Sequence, residues 1–372
     1  MTQPVFEQRW DRARKEMQQR GLDALLVGDK YNYWYFTGHL SREFDKKMRP
    51  MLFLLTRSAS PALIVYGQAE AALKRTCPGT ILHTYEDVPF PPELLIQALA
   101  DMELHSSRIG MEFGENERLG LSYNHFLQVR EALPDCQFQD AGELLRQLRL
   151  IKAPEEIELI RQACQISLQG WKKTLSQLRP GLTNQEIARI LSAELCSAGS
   201  DFDVAGHVTV GNGVAGETGY QPGQVLWCDF GATFNGYQAD LSRRAVFDPV
   251  SDPQLEMHRC ISSILRAQIE AIGPGKRASD CARVVSDKLQ SHGYPPLGPK
   301  KRVGHGLGLS PGEPPSLSLA DDTILQPGMI LTPEPRFFLD SGERVHLEEV
   351  VVVTEEGCEQ LTEGAETLEI IS

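Results

Sequence analysis

The chain begins with a charged stretch, residues 6–19, whose apolar positions recur at helical spacing, and Gly21 halts it before the unbroken apolar run 24–27. That run predicts a buried strand. Runs 51–55 and 62–65 predict two more strands, while 93–104 and 118–133 return to helical spacing. The first ~140 residues therefore predict one α/β domain of alternating elements.

A second pattern starts near residue 150. Pro154 suits the first turn of a new helix, and Glu155 and Glu156 beside it match the positive end of the helix dipole. Two further helices are expected at 165–178 and 183–198, the latter opened by the cap signal Thr183-Asn184-Gln185-Glu186. Glycine-punctuated strands follow, with helices at 254–272 and 278–291 and a β-branched run at 350–354. The expected domains are residues 1–150 and 151–372. No internal repeat or low-complexity segment interrupts them.

Composition narrows the function. The 372 residues carry a formal net charge of −13 with no long Lys/Arg run, so a surface that tracks nucleic-acid phosphates is not expected. No stretch approaches the ~18 apolar residues of a membrane helix, and the N-terminus lacks the apolar core of a signal peptide. A cytoplasmic protein without membrane association is the expectation. The eight cysteines are spread singly with no CxxC pair, which predicts reduced, mostly buried thiols.

Candidate chemistry lies in the second half. Asp229 and Asp240 each end an apolar run, 11 residues apart with Gly231 and Gly236 between them, and a hairpin would bring the two carboxylates together. His305 lies among Gly304, Gly306 and Gly308, which permit close backbone approach. Glu334 and Glu348 interrupt apolar, strand-like runs. Buried acids without partners are costly, so a nearby cation is the economical explanation. Four carboxylates and one imidazole suit two hard or borderline divalent ions.

In identity, order and context, Asp229, Asp240, His305, Glu334 and Glu348 resemble the ligands of the pita-bread metallopeptidases, the family of prolidase and aminopeptidase P. Their separations of 11, 65, 29 and 14 residues are similar to those of short microbial prolidases. The segments 23–27 and 35–38 resemble the creatinase/prolidase N-terminal domain, and 148–156 resembles the inter-domain linker. The resemblance implies an α/β N-terminal domain followed by an α+β pita-bread domain. It implies a cofactor of two divalent metal ions (Mn, Co, Fe or Zn), with Glu334 as both ligand and proton acceptor. It also implies a homodimer, in which the loop 39–49 reaches a neighbouring active site.

Four positions depart from that family. Its second histidine, seven residues after the ligand histidine, is Gly312 here, and another, ahead of the first Asp ligand, is Asn212. A family histidine is replaced by Lys301, and the arginine two before the last Glu ligand is His346. His346 should share the strand face of Glu348, which points it at the metals as a second catalytic candidate. The candidate substrate contacts are His207, which could take the space left by Asn212, together with Tyr220, Glu313 and His39.

Two other motifs carry no weight. The GxGxxG match at 211–216 precedes no helix, and Asp229-Phe230-Gly231 lacks every other kinase signal. Cys228 should face away from the metals, because neighbouring strand residues point to opposite faces. The expected activity is hydrolysis of a small peptide or amide-like substrate. The altered histidines leave open a lyase or hydrolase of a small non-peptide metabolite, similar to ectoine hydrolase or dimethylsulfoniopropionate lyase. A non-enzymatic binding module is disfavoured by the retention of all five ligands.

Overall fold

The computed structural model describes residues 3–46, 48–86, 88–115, 117–201, 207–211, 219–339 and 342–372. The chain divides into two compact units, Met1–Arg149 and Leu150–Ser372.

The first unit is built on a six-stranded sheet. Its order is Ile81–Tyr85, Ala62–Tyr66, Leu52–Thr56, Ala24–Val27, Arg108–Met111 and Gln137–Asp140. Ala24–Val27, Leu52–Thr56 and Ala62–Tyr66 are buried at every position, which is why they read as continuous apolar runs rather than alternating ones. The outermost strands are the partly exposed ones, as edges are. The helix expected at 118–133 starts later, as Tyr123–Ala132, because Ser122 caps it by accepting the His125 amide.

The aromatic run after Asp29 gave no helical signal, since aromatics favour strands. It nonetheless forms helix Lys30–Thr37, with Asp29 accepting the Tyr31 amide at one end and Gly38 in the left-handed region at the other. Its rings are core: Phe36 stacks on Phe53 with centroids 4.9 Å apart. Beneath the helix start, Glu112 accepts the amides of Gly28 and Asp29 and the side-chain amide of Asn32. Burial pushes the Glu112 carboxyl up to about 8, against the pull of these donors. Glu112→Ala orphans two buried donors and a partly buried one and should destabilise the protein by about 3 kcal/mol, read from denaturant unfolding. In the wild type, the unfolded chain gives up this proton near its ordinary value and the folded chain only near pH 8. The residue's contribution therefore weakens as pH rises across that window.

The second unit opens on helix Pro154–Leu175. The sequence predicts two helices here, one starting at Pro154 and another at 165–178, but no residue between them breaks the backbone and one helix runs through. Helix Asn184–Ala198 packs beside it, capped reciprocally by Thr183 and Glu186 as expected. Helices Asp252–Glu270 and Ala278–Ser291 complete the helical set among the described residues. A four-stranded sheet holds Glu369–Ile371, Leu241–Phe247, Val225–Phe230 and Val208–Val210 in that order. A five-stranded sheet holds Glu313–Ser316, Gly304–Gly306, Ile330–Pro333, Val351–Val353 and Cys358–Gln360. Ser242 and Glu348 form a bridge from the first sheet to the segment between Arg344–His346 and Val351–Val353. Among the described residues no helix is long and apolar enough to cross a membrane, and all eight cysteines are free thiols.

Candidate metal centre

The two aspartates are delivered by one hairpin. Val225–Phe230 and Leu241–Phe247 pair antiparallel with Ser242 opposite Asp229, so Asp240 falls just beyond the end of the ladder, beside Asp229. Asn235 and Gly236 make the turn with positive φ, and Gly231 lets the two arms close on each other: a Cβ there would stand 1.7 Å from the Ala239 carbonyl oxygen. The hairpin is held from below by Trp171, which stacks on Phe230 at 5.5 Å, and by Tyr237, whose hydroxyl donates to Glu156 at 2.7 Å. Glu156 thus serves twice, since its other oxygen accepts the Ala153 amide at the helix start.

His305 comes from strand Gly304–Gly306, which lies between Glu313–Ser316 and Ile330–Pro333. Gly306 is required by the chain's own approach, because a Cβ would meet the Pro314 carbonyl oxygen at 2.0 Å. The His305 Nδ1 bonds the Gly306 carbonyl at 2.9 Å, and a carbonyl can only accept. Nδ1 is therefore the donor of that bond, and Nε2, 3.5 Å from Asp240 Oδ2, is the nitrogen that faces the acids. Glu334 follows Ile330–Pro333, and Glu348 follows Arg344–His346 by two residues. Glu349 points the opposite way and is consumed by Arg243 at 2.9 Å and the Ala365 amide at 2.8 Å.

All five sequence-predicted ligand candidates meet. With His207 and His346, their donor atoms fall into three groups, each within 4.8 Å: His207, Asp229 and Asp240; Asp240, His305 and Glu348; Glu334, His346 and Glu348. Asp240 and Glu348 each belong to two groups, so the three form one continuous cluster. Within it, Glu334 Oε1 and Glu348 Oε1 are buried without a hydrogen bond. Buried carboxylate oxygens without a hydrogen bond, beside an imidazole nitrogen, are the donor set a divalent cation satisfies, so the residues fit such ions.

The electrostatics agree. Burial raises the Glu348 pKa well above the carboxylate range, and Asp240, Glu334 and Asp229 raise it further. Burial acts the same way on Asp229 and Glu334, but the neighbouring imidazoles, chiefly His207 for the first and His346 for the second, outweigh it and hold both low. Burial would depress His207, yet Asp240 and Asp229, at 2.8 and 3.2 Å, raise it to about 10. Divalent ions need Glu348 ionised, and an ion at the aspartates would displace the His207 proton. Metal uptake should therefore release protons at neutral pH and weaken as pH falls. Calorimetric titration in buffers of different ionisation enthalpy measures the number, and uptake with no proton release would contradict this account.

The remaining candidates lie in varied settings. His207 joins the cluster through both aspartates, while Asn212 lies outside the described residues. Tyr220 stacks on Phe247 at 5.0 Å. The Glu313 carboxylate is buried and engaged by Lys152 Nζ at 3.0 Å and by the Ser310 amide at 3.2 Å. His39 belongs to the first unit, where burial lowers its pKa. Gly312 and Lys301 are exposed. Cys228 is fully buried, and burial raises its thiol pKa.

Sequence reasoning missed two arginines. Arg336 reaches Glu334 Oε2 at 2.7 Å, and Arg302 approaches Oε1 at 3.5 Å. The strand alternation that singled out His346, two before Glu348, applies equally to Arg336, two after Glu334.

Comparison with known proteins gives the family. The model of metallopeptidase family M24 matches residues 158–355, and that of the creatinase/prolidase N-terminal domain matches residues 9–151. The Xaa-Pro dipeptidase of Pyrococcus furiosus is 28% identical over 249 residues, covering 65% of this chain and 71% of that protein. The structure of an Xaa-Pro dipeptidase from Bacillus anthracis superposes with a TM-score of 0.85 at 23% identity, covering 98% of this chain and 99% of the other. An X-Pro aminopeptidase from Thermotoga maritima MSB8 gives 0.82 at 25% identity, covering 97% and 99%. With a family model spanning most of its second unit and another most of its first, the chain belongs to metallopeptidase family M24, a metallohydrolase with a creatinase/prolidase N-terminal domain and a pita-bread C-terminal domain.

Proposed function

We propose that the protein is a dinuclear metal-dependent hydrolase of small peptides carrying an Xaa-Pro bond, with Asp229, Asp240, His305, Glu334 and Glu348 as ligands. The observation that carries this reading is the convergence of those five side chains with buried, unbonded carboxylate oxygens among them. Divalent ions of the Mn, Co, Fe and Zn group, when bound, polarise a carbonyl and lower the pKa of water. Asp240 and Glu348, shared between groups, are suited to bridge two ions. Glu334 is the proton carrier: its Oε1 makes no hydrogen bond, His346 and then Arg336 favour its ionised form, and Arg336 orients it through the other oxygen. Arg302 and Arg336 also supply positive charge beside the cluster, suited to the free carboxylate of a dipeptide.

Three substrate classes separate the readings: Xaa-Pro dipeptides, longer Xaa-Pro peptides, and small zwitterionic metabolites, each assayed with Mn, Co, Fe and Zn. Metal-dependent cleavage of the dipeptides as the best class is the expected outcome. Turnover confined to the non-peptide class would replace this reading with the metabolite one.

A further inference from the structure

The cluster contains an imidazole that the five-ligand set leaves without a task. His346 is completely buried, and neither of its ring nitrogens has a hydrogen-bond partner. A buried polar ring without partners costs free energy that a native site normally recovers. Its surroundings show where. Nε2 stands 3.4 Å from Glu334 Oε2 and 3.9 Å from Glu348 Oε2, and Nδ1 stands 4.0 Å from Asp229 Oδ2. The ring is backed by Trp227 at 5.7 Å, so it has no solvent to turn to.

We propose that His346 is itself a metal ligand, a sixth one, which binds through Nε2 to the ion shared with Glu334 and Glu348. The proposal rests on the dinuclear reading above and deepens it. Donors about 2.1 Å from a common tetrahedral ion stand roughly 3.4 Å apart, close to the separations found here. Ion pairing alone fits less well. Arg336 already supplies the close cation to Glu334, while the imidazole stays short of hydrogen-bond geometry with every carboxylate around it. The arginine that the family resemblance expects at 346 has no lone pair and could only pair with charge. A histidine there adds a nitrogen to the group of donors that otherwise offers only carboxylate oxygen. The nitrogen-richer set favours Zn, Co or Fe over Mn.

X-ray absorption on the Co-loaded protein tests this by counting the imidazoles bound per chain. Wild type should show one more than His346→Ala or His346→Arg, and the preference for Zn over Mn should fall about tenfold in both variants. Loss of affinity alone does not decide the matter, because an imidazole positioned behind the ligands also strengthens binding. The near-isosteric His346→Gln serves if alanine or arginine does not fold, which the melting of the metal-free protein reveals. An equal imidazole count in wild type and variants, with two ions held in each, overturns this inference and leaves the dinuclear reading intact. Wild type that takes up no divalent ion overturns both.

Discussion

Asp229→Ala should reduce turnover of the best substrate about a thousandfold and lower the metal content from about two ions per chain. The carboxylate removed faces His207 at 3.2 Å and lies in the same donor group as Asp240, so its loss opens one end of the cluster. The Lewis acidity of an ion contributes several kcal/mol to a hydrolytic transition state, and about 4 kcal/mol corresponds to a thousandfold in rate. The fold should survive, because the change removes a half-buried negative charge from among three others. Elemental analysis of the folded variant beside wild type provides the measurement. Equal metal content in the two, after divalent ions are added back, would remove Asp229 from the ligand set.

Gly312→His should act in the opposite direction and raise kcat/KM for Xaa-Pro dipeptides by about tenfold to a hundredfold. The resemblance puts a histidine here that grips the substrate carbonyl, and one donor to a developing oxyanion is typically worth about 10² to 10³ in rate. Space is available: a Cβ at Gly312 meets nothing within 4 Å, and the position is exposed. The same histidine should leave metal content and unfolding midpoint unchanged, which separates a gain in substrate handling from a gain in stability. An unaltered rate in a folded variant would show that the carbonyl is held by other groups, with His207 the first to test.

Much of this was legible in the residues, and the physical reasons differ by element. The central strands of the first unit announce themselves because both faces are covered, and the aspartate hairpin because two glycines separate two acids at strand ends. Alternation put His346 and Glu348 on one face. Helix Lys30–Thr37 was hidden because its aromatic residues favour strands, and burial in the core overrides that preference. The continuity of Pro154–Leu175 was missed because local spacing does not show that two apolar stretches share one axis. Nothing local reveals that Arg302 and Arg336 converge on one carboxylate, since that depends on the pairing of distant strands.

The buried pair between Lys152 and Glu313 bears on how such a chain can drift. Lys152 belongs to the linker segment and Glu313 to the strand beside His305, and their side chains are 2% and 5% exposed. Deleting either partner breaks a buried ion pair, which typically costs about 3–5 kcal/mol, whereas replacing both with apolar residues of similar volume is often close to neutral. The two positions are therefore locked to each other across more than 150 intervening residues. Descendants of this sequence should keep both or lose both, and a lineage that escapes the pair must cross an intermediate with much of its marginal stability gone.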